Sequence, residues 1–200
     1  MKKFFLLFAL VFVTANVNVK AQEANFKHEV GLSAGWLSNS QWIDIFEDAT
    51  KAIFGARYKN EKDYGSFSAE YFYHFKKWLG VGAIVAFGQT KKDICDTSTE
   101  IYEGKATNSY YTFMPAVKFD WLRKQHIGLY SKIGLGATIR KEKEDYVPEK
   151  NEYDYDNTEV HFNWQVSLIG FEAGGESLRG FAELGMGEQG VMVLGVRYKF

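Results

Sequence analysis

The chain has 200 residues, with 24 Lys and Arg against 25 Asp and Glu and a formal net charge of −1. This balance gives no electrostatic reason to expect nucleic-acid binding, and the single cysteine, Cys95, excludes an intramolecular disulfide. Aromatic residues make up 17% of the chain, whereas proline occurs only twice, and both biases favour long paired strands.

The first residues have the pattern of an export signal. Two lysines after Met1 are followed by an uncharged run from Phe4 to Val13, which is the basic start and short apolar segment of a secretory signal peptide. A spanning helix would need about 20 apolar residues. The small-residue pattern Val19-Lys20-Ala21 predicts cleavage after Ala21. We therefore expect a signal peptide at 1–21 and one β-barrel domain at 22–200, with an uncleaved anchor as the alternative.

From Val30 onward, apolar residues recur at every second position, which is the period of a β-strand with two different faces. Seven strands are predicted at about residues 30–36, 64–75, 79–88, 107–119, 127–139, 160–171 and 178–187. The eighth, at the C-terminus, has Met192, Leu194, Val196, Tyr198 and Phe200 on one face and Val193, Gly195, Arg197 and Lys199 on the other. About ten residues suffice for a tilted strand to cross a bilayer. The pattern predicts an all-β fold, an eight-stranded antiparallel up-and-down transmembrane β-barrel.

The composition of the two faces indicates which one points outward. The apolar face is a continuous Leu, Val, Phe and Trp surface that suits lipid, and the other face is mostly Gly, Ser, Asn, Gln and Thr, which suits a narrow polar lumen. A soluble lipocalin-like binder would need the two faces exchanged. Aromatic residues near the strand ends predict two interfacial girdles, built from Trp36, Phe75, Trp78, Phe87, Phe119, Trp121, Tyr198 and Phe200.

The predicted connections alternate between long and short. Long ones are expected at 37–63, 89–106 and 140–159 and shorter ones at 76–78, 120–126 and 172–177, with a short last turn at 187–190 as the exception. This alternation predicts that both termini lie in the periplasm and that the long connections face the cell exterior. Within the first connection, apolar residues in 41–54 have helical spacing, so this segment is either a short amphipathic helix or an irregular loop.

Two segments near the C-terminus carry a family resemblance. They are Gly180-Phe181-Ala182-Glu183-Leu184-Gly185-Met186-Gly187 and Leu194-Gly195-Val196-Arg197-Tyr198-Lys199-Phe200. Together with the signal and the alternating strands, they resemble the small outer-membrane β-barrel family, the OmpA/OmpX-like group in the form common in Bacteroidetes-type bacteria. The resemblance implies location in the outer membrane and a recognition signal for the barrel-assembly machinery at Val196, Tyr198 and Phe200. It specifies architecture more than function, because such folds host structural, adhesive and enzymatic members.

Several charged residues fall on the face assigned to the lumen. Glu70, Lys118, Lys132, Glu183 and Arg197 are expected to meet in its lower half, where an unpaired charge would be costly. Because an eight-stranded interior is only wide enough for side chains, these residues predict a salt-bridged plug that closes the pore. A narrow channel is the alternative.

The sequence contains no strong sign of catalysis. The four histidines have no metal-ligand spacing, so neither a metal nor another cofactor is expected. Ser131 faces outward without a nearby histidine, so no catalytic residue is assigned, although a lipid-modifying enzyme remains an alternative. The acidic, tyrosine-rich stretch at 142–159 is either a solvated loop or a patch that meets a partner.

We therefore expect a non-enzymatic barrel with a structural or surface-interaction role. Its expected partners are outer-membrane lipid and lipopolysaccharide, the barrel-assembly machinery and an extracellular molecule bound through the long loops.

Overall fold

The computed structural model describes residues 26–44, 56–96, 102–147 and 154–200. The predicted signal peptide lies outside these residues. Eight strands follow one another: β1 His28–Trp36, β2 Ala56–Lys76, β3 Leu79–Asp96, β4 Tyr102–Arg123, β5 Ile127–Tyr146, β6 Tyr155–Gly174, β7 Leu178–Gly187 and β8 Met192–Lys199. Each strand pairs antiparallel with its neighbours in chain order, and β8 pairs with β1 to close the barrel. The predicted eight-stranded up-and-down fold is confirmed.

The five strands β2 to β6 are seven to nine residues longer than predicted, with 18 to 22 residues each. The prediction of loops at 89–106 and 140–159 is therefore wrong for most of their length. The apolar alternation ends where the strands leave the lipid, but backbone pairing continues between polar residues such as Lys105 and Asp145 or Thr107 and Lys143. A search for apolar periodicity misses such strands because neither of their faces is apolar.

The outer surface of the barrel is apolar, as predicted. Leu32, Phe113 and Val196 are 59%, 56% and 53% exposed, whereas the adjacent inward residues Ser33, Thr112 and Arg197 are buried. The lipocalin-like alternative is wrong, because it needs the apolar face inside. The aromatic residues predicted for the girdles lie on this surface, and Trp121 is the most exposed of them at 75%.

The two ends of the barrel differ. At one end the chain turns briefly between β2 and β3, β4 and β5, and β6 and β7, and His28 and Phe200 exchange two backbone hydrogen bonds of 2.9 Å. At the other end β2 to β6 continue beyond β1 and β7. Short turns are typical of the periplasmic end of such barrels and long connections of the exterior, so the extended strands lie at the end predicted to face the cell exterior.

Two segments fold over the outer end. Residues 39–44 are helical, while the remainder of the stretch expected to form an amphipathic helix, 45–54, lies outside the described residues. Among the described residues, no helix is long and apolar enough to span a membrane. The turn from β7 to β8 bends into the barrel and buries Glu188 and Gln189. Gly190 permits this bend, because its φ is 114° and a Cβ there would lie 2.4 Å from the Trp36 carbonyl oxygen.

Candidate functional site

The periplasmic half of the lumen holds a dense set of charged side chains, here called the lower network. Every member is at most 9% exposed. It contains five carboxylates, five Lys or Arg cations and one histidine. The carboxylates are Glu29, Glu70, Asp120, Glu172 and Glu183, the cations are Lys118, Lys132, Arg179, Arg197 and Lys199, and the histidine is His74. Near-equal numbers of opposite charges limit the cost of burial, because each ion has a partner at short range.

Four of the five residues predicted to meet in the lumen contact one another directly. Lys132 Nζ lies 2.6 Å from Glu70 Oε2 and 2.9 Å from Glu183 Oε1. Arg197 donates a hydrogen bond to Glu70 and lies 3.7 Å from Glu183. The fifth, Lys118, donates instead to Glu29 over 2.6 Å. It joins the others through that carboxylate, which is 3.7 Å from Arg197 Nε.

Tyr130 lies at the centre of these contacts. Its hydroxyl donates to Glu183 Oε1 over 2.7 Å and accepts from Arg197 Nη2 over 3.1 Å. The Arg197 guanidinium lies 4.6 Å from the centre of the Tyr130 ring and 4.3 Å from that of Phe181. Lys118 Nζ is 4.1 Å from the Tyr130 ring centre. The aromatic rings thus pack against cations that also bind carboxylates.

Sequence reasoning missed several members of the network. Glu29 and Lys199 occupy the same inward face as Gly31 and Arg197, so the strand period could have identified both. Glu172 accepts hydrogen bonds from Arg179 over 2.6 Å and from Arg197 over 2.7 Å. The strand period does not predict that Glu172 faces the lumen.

A bulge in β6 explains why Glu172 was missed. Leu168 and Ile169 are both exposed, at 71% and 54%, and the pairing register shifts at this point. The inward face therefore changes from odd to even numbers after Ser167, which brings Gly170 and Glu172 into the lumen. A β-bulge inserts one extra residue into the ladder, and the apolar pattern of a single strand does not reveal it.

Inward-facing glycines make room for the long side chains on the neighbouring strands. A Cβ at Gly170 would lie 2.4 Å from the Tyr130 ring, and one at Gly128 would lie 2.6 Å from Glu172 Oε1. A Cβ at Gly31 would lie 2.8 Å from Glu70 Cγ. The glycine-rich face of the strands therefore reflects the volume of the charged residues opposite, in an interior that side chains fill.

His74 lies between two carboxylates at the periplasmic end of the network. Its Nε2 is 3.3 Å from Glu29 Oε2 and its Nδ1 is 3.2 Å from Asp120 Oδ2. In the part of the chain that the structure describes, no group of three His, Cys, Asp or Glu side chains has an arrangement suited to a metal ion. His74 is thus a buried polar member of the lower network, in contact with two of its carboxylates.

A small apolar cluster packs inside the barrel beside the lower network. Phe72, Ile84, Met114 and Ala116 pack together and are at most 5% exposed. Phe72 interrupts the polar alternation of β2 in the sequence, and this cluster is the reason, since its ring fills the barrel interior.

The outer half of the lumen is filled by polar contacts with segment 38–44. Glu188 accepts hydrogen bonds from Ser40 Oγ over 2.7 Å and from Asn163 Nδ2 over 2.8 Å. Asp44 accepts from Asn108 over 2.7 Å and lies 3.5 Å from Arg140 Nη2. Segment 38–44 follows β1 directly. Through these contacts it is held across the outer mouth of the barrel, against β4, β5, β6 and the turn between β7 and β8.

Beyond the lipid, residues 56–65, 88–96, 102–110, 140–146 and 155–161 of β2 to β6 form what we call the outer sheet. Pairing of β6 with β7 begins at Gln165, so among the described residues β6 has no neighbouring strand on that side from 155 to 163. Lys143 on this sheet pairs with Asp145 over 2.6 Å, and this hydrogen bond and charge raise the pKa of Lys143. The acidic stretch predicted as a loop is thus mostly paired strand in its described part, and Cys95 is buried in β3.

Ser131, the outward hydroxyl considered for a lipid-modifying enzyme, has neighbours without acid or base chemistry. Its Oγ donates to the Leu168 carbonyl over 2.6 Å and accepts from Trp121 Nε1 over 3.0 Å. Through these two hydrogen bonds Ser131 links β5 to β4 and to the bulge of β6. Neither partner could act as a general base toward its hydroxyl.

Comparisons with known proteins found similar solved structures. Two solved structures of Ail, the attachment invasion locus protein of Yersinia pestis, are similar at 16% sequence identity. One covers 90% of this chain and 100% of Ail with a TM-score of 0.44. The other, a complex with the heparin analogue sucrose octasulfate, covers 87% and 99% with a TM-score of 0.42. A search of curated proteins found no match.

The sequence itself shows the family. Residues 5–200 match the sequence model described as the outer membrane protein beta-barrel domain. The match covers nearly the whole chain, including all eight strands that close the barrel. The chain therefore belongs to the outer membrane protein β-barrel domain family.

Proposed function

We propose that this outer-membrane protein is a non-conducting, non-enzymatic barrel that holds an extracellular β-sheet at the cell surface, where the sheet binds a partner by strand addition. The observation that carries this function is that, in the part of the chain that the structure describes, no strand pairs with the β7-facing edge of β6 at residues 155–163. A strand edge presents unpaired N–H and C=O groups, and an extended segment of another protein can pair with them.

A closed lumen supports a scaffold role over a transport role. The lower network, the apolar cluster and the contacts of Glu188 with segment 38–44 all occupy the barrel interior. Moving an ion through this interior would require breaking buried ion pairs, each of which is costly to disrupt.

The purified barrel is expected to produce no stepwise conductance in planar bilayers, because buried charged, apolar and polar side chains fill its lumen. The measurement is single-channel recording at both polarities, with a general porin as the positive control. Reproducible single-channel steps from the folded barrel would contradict the plug and favour the narrow channel.

The backbone of β6 indicates how the edge could bind. Trp164 directs its carbonyl toward the turn after β7, where it accepts from the Glu188 N–H over 3.0 Å. Alternate residues of a strand direct their backbone groups to the same side. Residues 162, 160, 158 and 156 therefore direct their N–H groups toward the open edge, while those between them pair with β5.

Replacing Thr158 by proline is expected to reduce attachment of expressing cells to a surface coated with casein, an unfolded protein rich in extended segments, by about tenfold. Proline removes the edge N–H and blocks an approaching strand, but it preserves the pairing of β6 with β5. Thr158→Ala is the matched control, because it keeps the N–H. Attachment is compared with that of cells lacking the protein, and equal attachment by the two variants would contradict strand addition.

Export and assembly form a second part of the proposal. Cleavage after Ala21 would give a mature chain that begins at Gln22, which mass spectrometry of the purified protein can check. Val196 and Tyr198 lie exposed on the lipid face of β8, and Phe200, directly after the strand, is also exposed. This exposure supports their role as the signal for the assembly machinery. Normal recovery in the outer-membrane fraction of a chain that ends at Lys199 would count against that role.

A further inference from the structure

The β7-facing edge of β6, which has no paired strand among the described residues, is acidic. Residues 154–163 include Asp154, Asp156 and Glu159 but no Lys or Arg, and these three acidic residues are exposed. On the far side of the outer sheet, by contrast, β3 and β4 carry equal numbers of basic and acidic residues over 88–96 and 102–110. A strand that approaches the edge of β6 therefore meets negative charge.

Lys143 of β5 offsets only part of this charge. It lies opposite Asp156 in the strand register, but its hydrogen bond goes to Asp145 over 2.6 Å. That bond is the main reason for the raised pKa of Lys143, and the charges of Asp156 and Asp154 contribute to it. One cation thus serves three carboxylates, which leaves an excess of negative charge beside the edge.

Glu159 also keeps its charge for a ligand. Its Oε1 accepts a hydrogen bond from the neutral side-chain amide of Asn157 over 2.9 Å. Arg140 lies opposite Glu159 in the strand register, but it is buried and its Nη2 lies 3.5 Å from Asp44. A basic side chain on a strand added at the open side can therefore pair with Glu159.

The charge of the edge argues against a second copy of this chain as the partner. Because residues 154–163 contain acids but no Lys or Arg, no register of two β6 edges places opposite charges face to face. Like charges directly opposite each other destabilise a strand pair, and charged side chains are a common means of preventing edge strands from pairing with each other. The same acids attract an extended segment that is basic.

The end of this edge nearer the membrane is apolar. Val160 and Phe162 are each 68% exposed, and they share one face of β6 with Asp156. An antiparallel partner runs in the opposite direction, so it reaches Phe162 and Val160 first. A complementary segment therefore has apolar residues at two alternate positions, a basic residue directly after the second of them, opposite Glu159, and another basic residue three positions later, opposite Asp156.

We propose that the segment that adds to β6 is a basic, extended stretch of another protein with this order of apolar and basic residues. The inference rests on the proposed strand addition and names the class of partner. Cross-strand pairs of opposite charge stabilise the added strand, and the negative edge raises the rate at which a basic segment meets it.

The test compares two fluorescent peptides that differ only in charge. Both carry the apolar pattern, but one has lysine and the other has glutamate opposite Glu159 and Asp156. Binding to the full-length barrel in uncharged phosphatidylcholine nanodiscs is measured by fluorescence anisotropy. The double variant Asp156→Asn, Glu159→Gln is expected to bind the lysine peptide about tenfold more weakly than the wild type does. Heat-modifiability on a gel verifies that the variant is folded.

Asp93→Asn, Glu103→Gln is the matched control, because it removes two negative charges from β3 and β4 of the same outer sheet. A strand added to β6 would lie about 14 Å from β4, beyond the screening length of about 8 Å at physiological salt. The affinity for the lysine peptide is therefore expected to stay unchanged. A loss as large as that of the β6 double variant would overturn the proposal, because affinity would then follow total charge.

Thr158→Pro separates this inference from strand addition itself. If the two peptides bind equally well and both lose affinity in Thr158→Pro, strand addition holds and selection by charge is overturned. If the lysine peptide binds Thr158→Pro as tightly as Thr158→Ala, it adheres without forming a strand, and both proposals fail. Absence of binding by the lysine peptide would overturn the basic partner. So would a dimer of the barrel that Thr158→Pro dissociates, because the edge would then belong to a second copy.

Discussion

Replacing Arg197 by leucine is expected to lower the free energy of unfolding of the barrel by about 4 kcal/mol. Arg197 donates hydrogen bonds to Glu70 and Glu172 and lies 3.7 Å from both Glu29 and Glu183. Its guanidinium also packs against two aromatic rings. Its loss leaves five buried carboxylates facing four Lys or Arg cations, and an uncompensated buried charge is among the most destabilising changes in proteins. The measurement is urea unfolding in lipid vesicles followed by tryptophan fluorescence, supported by heat resistance on a gel.

Two lysines provide a sharp control for that prediction. Lys132 and Lys143 each lie 2.6 Å from a carboxylate, but Lys132 is fully buried with Glu70, whereas Lys143 and Asp145 are exposed in the outer sheet. Lys132→Met should destabilise the barrel as Arg197→Leu does. Lys143→Met should leave the urea midpoint unchanged, because exposed pairs contribute little. If the Arg197 and Lys132 variants unfold at the wild-type midpoint, the ion pairs do not stabilise the barrel.

The second large effect is expected at a glycine. Gly170→Ala should cost about 3 kcal/mol of stability, because the new Cβ would lie 2.4 Å from Tyr130 ring atoms. The ring cannot move aside easily, since its hydroxyl binds Glu183 and Arg197. Gly88→Ala is the control, because Gly88 also faces inward but its Cβ would meet no atom closer than 3.6 Å. Both variants are compared with the wild type by the same urea unfolding.

A second substitution tests whether the clash with Tyr130 is the cause. Tyr130→Leu removes the ring and should be destabilising alone, because it takes a hydrogen-bond partner from Glu183. In the Gly170→Ala background it should cost much less than it does alone, since the ring is already displaced. Additive effects of the two substitutions would mean that Gly170 acts through something other than Tyr130.

Much of the architecture was readable from the alternation of side chains. In a closed barrel each strand has one lipid face and one lumen face. Because Leu194 and Val196 are apolar and face the lipid, Val193 and Arg197 must face the lumen, and this follows without knowing which strands lie beside β8. The same period assigned Glu70, Lys132 and Glu183 to the interior. It did not show that Lys118 pairs with Glu29, because cross-barrel partners depend on the relative register of all eight strands.

The sequence by itself determined the number of strands, the lipid-facing side of each and the presence of buried charge, because these follow from a period of two along one strand. Only the tertiary structure decided the length of β2 to β6, the entry of Glu172 into the lumen through the bulge at Leu168 and Ile169, and the closure of the outer mouth by Ser40 and Glu188. Strand extension, bulges and inward turns depend on backbone pairing with neighbouring strands, and a periodic pattern in one strand does not encode that pairing.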